Sequence, residues 1–323
     1  MIVSADAGAA AREYSRGVSG QWISRLARYE ERIAFLFITP WLIGLIVFWI
    51  GPVLASLVLS FTDWDIIAPA PTWVGLANYR EMLNDRQFWQ SLRVTFKYMV
   101  LSVPLYMAAG LGLSLLLNLK IPGMNVFRTI LFIPAVLSGV AVAVLWVSLL
   151  NPDVGAVNWI LRSIGMAKPP RWLDSPTWAV PALVLVGLWG VGGDAIIYLS
   201  GLQNIPAQLY EAAVVDGAGP WARFVHITWP MLTPTMLYVM LTSLIGAFQV
   251  FDVAWILGGS QGGVGGSLRF YLINLWNNGF RDGRMGYACA LAWVLVMLAS
   301  VVILAIFRSS GRWVYYEYEP DKV

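Results

Sequence analysis

The stretch Leu209–Pro234, LYEAAVVDGAGPWARFVHITWPMLTP, stands between two strongly apolar runs and resembles neither. It mixes acid, base, glycine, proline and small residues in the order helix, turn, helix. Pro206 can open the first helix, because proline at the first helical position gives up only an amide that has no intrahelical partner. Ala207 to Val215 continue that helix, and Ala212 and Ala213 give it a low-profile face suited to close packing. Asp216-Gly217 is a turn signal, since glycine takes the left-handed conformation at no steric cost. Gly219-Pro220 restarts the chain. Trp221, Phe224, Val225 and Thr228 then recur at helical spacing as a mostly apolar face, with Arg223 off it. Pro230 and Pro234 lead into the next apolar run. The residues predict two short helices joined at a sharp corner. Three uses fit such a pair: docking onto another subunit, lying amphipathically on lipid, or serving as an interspan hairpin.

Outward from this stretch the chain reads as membrane. Hydrophobic residues make up 59% and charged residues 12%, about half the charge of a typical soluble domain. Mean hydropathy is +0.68. The 17 Trp, 13 Tyr and 14 Phe suit many spans with aromatic girdles. Six runs, at about 34–61, 95–118, 127–150, 178–200, 231–251 and 286–307, are long enough to cross roughly 30 Å of hydrocarbon as helices. Helices are the default there because an unpaired backbone group is costly in lipid. Pro40, Pro52, Pro104, Pro134 and Pro181 fall in or near these runs and predict kinks rather than ligand sites. The expected fold class is an all-α membrane protein of about six transmembrane helices, with the quoted stretch between the fourth and fifth.

The short connection 119–126 makes the second and third spans antiparallel neighbours. Connections 62–94 and 151–177 are longer, and Gly258–Gly266, GGSQGGVGG, reads as a flexible or tightly turning loop. Residues 1–32 carry Arg12, Arg16, Arg25, Arg28 and Arg32 but no short apolar core with a small-residue cleavage site. The first run therefore reads as a retained span, not a removed signal peptide. Lys and Arg divide almost evenly between the two sides of the membrane. Arg25, Arg28 and Arg32 before the first span, and Asp63 and Asp65 after it, favour cytoplasmic termini. The expected organisation is a cytoplasmic segment 1–32, a membrane domain 33–308 and a cytoplasmic tail 309–323.

Several chemistries are disfavoured. A net charge of +3, widely spread, does not point to nucleic acid. The single cysteine, Cys289, precludes an internal disulfide or a cysteine-based zinc cluster. His226 is the only histidine, and with no clustered carboxylates it reads as a loop histidine rather than a metal ligand. No paired acid and base near one membrane face suggests an enzyme, and no mid-membrane coupling charges in repeats suggest a stand-alone carrier. Asp194 is the one clear acid well inside an apolar run, about a turn and a half from its cytoplasmic end. It suits a pathway role and a capping or subunit-interface role equally. Sugars are bound by aromatic faces with hydrogen-bonding side chains, and Trp189, Tyr198, Phe248, Gln249, Phe251 and Asp252 can supply such a surface. Packing or girdle roles explain most aromatics equally well.

The quoted stretch also resembles the "EAA" motif of the membrane subunits of ATP-binding-cassette importers. That motif is Glu-Ala-Ala, three residues, Gly, nine residues, Ile, one residue, Leu, Pro. Here it reads Glu211, Ala212, Ala213, Gly217, Ile227 and Pro230, with Trp229 in place of the usual Leu. Phe61–Asp65, Trp73–Leu92, Tyr198–Ala218 and Met285–Leu295 are similar to the maltose- and glycerol-phosphate-type permeases of the sugar-uptake branch, and the resemblance spans about residues 34–307. The family's Gly-Gly-Pro after the fifth span is Gly258-Gly259-Ser260 here.

The resemblance implies that this stretch is the coupling helix seated in a cleft of an ATPase. Glu211 would make polar contact, Asp216-Gly217 would form the corner, and Trp221 and Phe224 would pack the element. It further implies a second homologous permease, two ATP-binding subunits that hold ATP and Mg, and an extracytoplasmic solute-binding protein. The place would be a bacterial or archaeal plasma (inner) membrane. The chain has no GxxxxGK[ST] loop to cradle phosphates and would bind no cofactor itself. The expected cargo is a sugar or oligosaccharide, with glycerol phosphate or another polyol derivative as the alternative; the spans show no convergent Arg or Lys to favour phosphate.

Overall fold

A computed structural model describes residues 25–67 and 70–315. The outer parts of the segments 1–32 and 309–323, with the acids Glu317, Glu319 and Asp321, lie outside the described residues. The chain divides into two compact units, Met1–Val58 and Leu59–Val323.

The first unit is a helical span. Helix α1 (Arg25–Gly44) runs through a π-helical turn (Leu45–Ile50) into α2 (Gly51–Leu59). The π turn directly precedes Pro52, which has no amide to donate and whose ring crowds the carbonyl four residues back; widening the turn relieves both problems. Phe37, Trp41, Phe48 and Trp49 are exposed along it. Such a surface suits lipid and would be untenable in water.

The second unit is mostly α-helical, with one hairpin of two-residue strands, β1 (Thr62–Asp63) and β2 (Thr72–Trp73), paired antiparallel. After α3 (Ala77–Asn84), Asp85 caps α4 (Arg86–Leu117): its Oδ1 accepts the Gln87 amide at 2.7 Å, while Oδ2 accepts the Tyr287 hydroxyl at 2.9 Å. α4 contains 32 residues, so it is about 48 Å long. It is the hub of the unit.

Then come α5 (Met124–Val136), α6 (Gly139–Leu149), α7 (Ala156–Ser163), α8 (Ala179–Leu188) and α9 (Gly192–Gln203). The corner helix α10 (Ala207–Val215) and the short α11 (Pro220–Arg223) follow. A π turn (Phe224–Thr228), again just before a proline (Pro230), leads into α12 (Trp229–Phe248). The chain closes with α13 (Asp252–Gly258), α14 (Tyr271–Trp276) and the long α15 (Met285–Ser310). α4 packs against α8, α9, α12 and α14. Phe88, Tyr98, Val103, Leu183, Phe248, Tyr271 and Leu291 form the main core around it.

The structure adjusts or resolves the expectations in four ways. Among the described residues four helical stretches are long and apolar enough to cross a membrane unbroken: Tyr29–Leu59, Arg86–Leu117, Pro220–Phe248 and Met285–Ser310. The third and fourth expected spans are broken instead, α5–α6 by 96° and α8–α9 by 49°. Pro134, whose ring opposes a continuous ladder, sits just before the first break. Second, the helices on either side of 119–126 are neighbours, with Arg128 Nη2 donating to the Leu117 carbonyl at 2.9 Å, but α5 packs chiefly on α9. Third, Gly258–Gly266 is a tight loop in which Gly263 donates to Gly258 O at 2.6 Å and Gln90 Nε2 to Gly265 O at 2.6 Å. Fourth, the helix after the corner is not separate from the fifth span but continuous with it.

Candidate functional site

The corner is built by a Schellman cap. The Ala218 amide reaches back to Ala213 O at 2.8 Å and the Gly217 amide to Val214 O at 3.0 Å, with Gly217 at φ 78°. No atom lies within 4 Å of where a Gly217 Cβ would stand, so the demand for glycine is conformational and not steric. Pro220 then opens α11 at its first position.

Around this corner no residue of α10 is buried. Glu211, Ala212, Asp216 and Gly217 are exposed, with Ala213 half-buried. Val215 is 87% and Trp221 75% exposed, so an apolar tip faces away from the core. Trp221 stacks on Phe224 (5.6 Å, 26°), which meets Trp229 edge-on at 6.2 Å. The corner's inner side is anchored: the Tyr210 and Thr228 hydroxyls share a hydrogen bond of 2.8 Å. Tyr210 and Ile227 pack on a cluster of Leu111, Tyr198, Leu202, Leu232 and Met236. Pro230 follows at the start of α12, and His226 Nδ1 lies 2.9 Å from Ala222 O. The exposed tip is thus joined rigidly to α12, and through α9 and α4 to the bundle.

A second feature sits among the helix breaks. A cavity of about 430 Å³ is lined by Pro134, Ala135 and Leu137 at the α5–α6 break, Gly187, Trp189 and Gly190 at the α8–α9 break, and Gln249–Val253 at the α12–α13 break. Non-helical backbone at membrane depth is tolerated only where protein or a cavity surrounds it, and helix starts leave amides without intrahelical partners. Of the residues singled out for substrate contact, Trp189, Gln249, Phe251 and Asp252 line this cavity. Tyr198 and Phe248 do not; they are 0% and 2% exposed and belong to the packing. Tyr98, Leu183 and Val186 complete the wall, and sequence reasoning missed them. The only signal in the sequence was the glycine-rich run around Trp189, which allows close approach: Tyr106 fills the space a Gly187 side chain would need, and the Leu131 carbonyl that of Gly192. From Phe251 a row of rings, Trp255, Trp276 and Phe280, runs outward at centroid spacings of 5.4, 4.5 and 6.0 Å.

Asp194 is half-buried in the first turn of α9. α9 continues to Gln203, so Asp194 lies about two and a half turns from the helix end, not one and a half. At the far end of the bundle, Arg284 places Nη2 2.7 Å from both Glu81 oxygens and its guanidinium 4.6 Å over the Tyr287 ring. Among the described residues no group of three or more His, Cys, Asp or Glu is arranged to hold a metal.

Residues 105–314 match the family described as "Binding-protein-dependent transport system inner membrane component". The chain is 38% identical over 300 residues to the probable ABC transporter permease protein YesP of Bacillus subtilis (strain 168), covering 92% of this chain and 96% of that one. It is 35% identical over 288 residues to the trehalose/maltose transport system permease protein MalF of Thermococcus litoralis, covering 88% and 97%. Its fold resembles a chain in the crystal structure of a bacterial ABC transporter involved in the import of the acidic polysaccharide alginate, with TM-score 0.77, 25% identity, and coverage of 90% and 99%. With that family match across most of the membrane bundle, this chain belongs to the binding-protein-dependent transport system inner membrane components, as a transport subunit and not an enzyme.

Proposed function

We propose that this chain is one of two permease subunits of an ATP-driven importer and that the pair lines the path of a neutral sugar or oligosaccharide. The observation that carries the reading is the convergence of three helix breaks on one aromatic and polar cavity. Trp189 and Phe251 offer ring faces; Gln249 and Asp252 offer hydrogen bonds to hydroxyls. Among the described residues no Lys or Arg lines the cavity, which disfavours a phosphate or a uronate as cargo.

In this reading the exposed corner docks on a separate ATPase that holds ATP and Mg. Glu211 makes a polar contact, Ala212 and Ala213 allow close approach, Asp216-Gly217 form the corner, and Trp221 with Phe224 pack the coupling element. Ile227 and Pro230 join the corner to α12. A solute-binding protein delivers cargo at the opposite end, and both termini face the cytoplasm of a bacterial or archaeal cell. Residues 33–308 form the membrane domain between the cytoplasmic segments 1–32 and 309–323. The relatives include a trehalose/maltose transport system permease, which supports the cargo class.

The test is reconstitution with the partner permease, ATPase and binding protein, reading ATP hydrolysis with maltose, trehalose, lactose, arabino-oligosaccharides, alginate pentasaccharide and glycerol phosphate. Stimulation by a neutral sugar is expected. Stimulation by alginate or glycerol phosphate alone overturns the cargo, and ATP hydrolysis by this chain alone overturns the subunit role.

A further inference from the structure

A second cavity of about 310 Å³ adjoins the first, within the size range of small-molecule sites. Its polar wall is Tyr98, Ser102 and Tyr106 from one face of α4, Asp194 from α9, and Thr242 and Ser243 from α12. Tyr98 lines both cavities. Its hydroxyl lies 3.2 Å from that of Tyr106, which donates to Val184 O at 3.0 Å, so the two rings form a fixed partition. The absence of a side chain at Gly187 makes room for Tyr106 to take this place. Asp194 makes no hydrogen bond or ion pair among the described residues. Its Cβ is held against Gly110 of α4, 3.2 Å from where a Gly110 Cβ would stand. The Thr242 hydroxyl donates to Tyr238 O and Val239 O, which leaves its oxygen free to accept. Residues 242–247 of α12 precede 249–253, so this cavity lies about one turn closer to the corner than the aromatic one.

We propose that this cavity is a second sugar station on the path, in which Asp194 accepts hydroxyl hydrogen bonds from a sugar ring that has passed the Tyr98–Tyr106 partition. An intramembrane carboxylate without a protein partner is costly unless a polar ligand or water meets it, and a carboxylate among hydroxyls matches a ring of hydroxyl donors. The aromatic cavity would receive the sugar by its faces, and this one would hold it by its edges. The inference rests on the importer reading above, and its test separates the two.

Thr242→Cys and, separately, Val250→Cys are placed in a chain whose Cys289 is replaced by Ser, with cysteine-free partners. Each is labelled with a membrane-permeant methanethiosulfonate during ATP turnover. The protecting probe is whichever of maltose, trehalose, lactose or an arabino-oligosaccharide stimulates the unaltered complex. Protection of both cysteines, at least about fivefold, is expected, and Asp194→Ala should abolish it at Thr242→Cys while leaving it at Val250→Cys. Protection at Val250→Cys alone removes the second station and leaves the single-cavity path standing. Protection at neither removes the path itself, and a complex that none of the four stimulates removes the neutral-sugar reading together with this inference. Asp194→Asn, which keeps shape and one acceptor, should retain part of the protection; full retention with Asp194→Ala would overturn the role of the carboxylate.

Discussion

The corner at Val215–Pro220 lies in one stretch of chain, whereas the aromatic cavity gathers residues from 134 to 253 at three separate breaks. The corner is stabilised by local forces: a Schellman cap, a glycine at positive φ and a proline at a helix start. Each acts over a few residues, and each can be read from sequence order. The cavity depends on where long helices stop, and that depends on packing between α5, α8, α9, α12 and α4. One region should therefore fail locally when altered, and the other globally.

The largest effect is expected at Gly192, where a side chain would collide with the Leu131 carbonyl, a backbone atom that cannot rotate away. Gly192→Val should cost about 3 kcal/mol or more through overpacking and separate α9 from α5. Thermal unfolding of the detergent-purified subunit and its yield in complex would both drop; an unchanged unfolding midpoint would show that the break tolerates a side chain. Gly217→Val comes next. Its cost to the fold is only about 1–2 kcal/mol, from backbone strain, yet the corner's direction changes, so sugar-stimulated ATP hydrolysis should fall by at least about tenfold with assembly retained. Normal uptake by this variant would remove the corner from the coupling path. Tyr210→Phe loses one hydrogen bond to Thr228, about 1 kcal/mol, and should weaken coupling by about fivefold at most, measured as the ratio of sugar transported to ATP hydrolysed. Smallest of all is Glu81→Gln at the far end. Its ion pair with Arg284 is about half exposed, so water screens it to below about 1 kcal/mol, and a shift in unfolding midpoint beyond a degree or two would mean the pair carries more than its exposure allows.

Asp194 shows how far one-dimensional reading reached. Its isolation in an apolar run was visible; its neighbours Ser102, Tyr106 and Thr242 were not, because they come from helices distant in the chain. Tyr198 and Phe248 show the converse: aromatic type and position made them candidates, and burial placed Tyr198 against α4 and α12 and Phe248 against Phe96 of α4.

By itself the sequence determined the helical membrane character, six apolar runs and the corner, because hydrophobic length, proline, glycine and capping act through nearest neighbours along the chain. Only the tertiary structure decided that the third and fourth runs are broken, that the breaks share a cavity, and that Tyr98 divides it from a second chamber. Those outcomes depend on which backbone meets which side chain across helices, as Gly192 meets Leu131 and Gly187 meets Tyr106, and hydrophobic periodicity carries no record of such encounters.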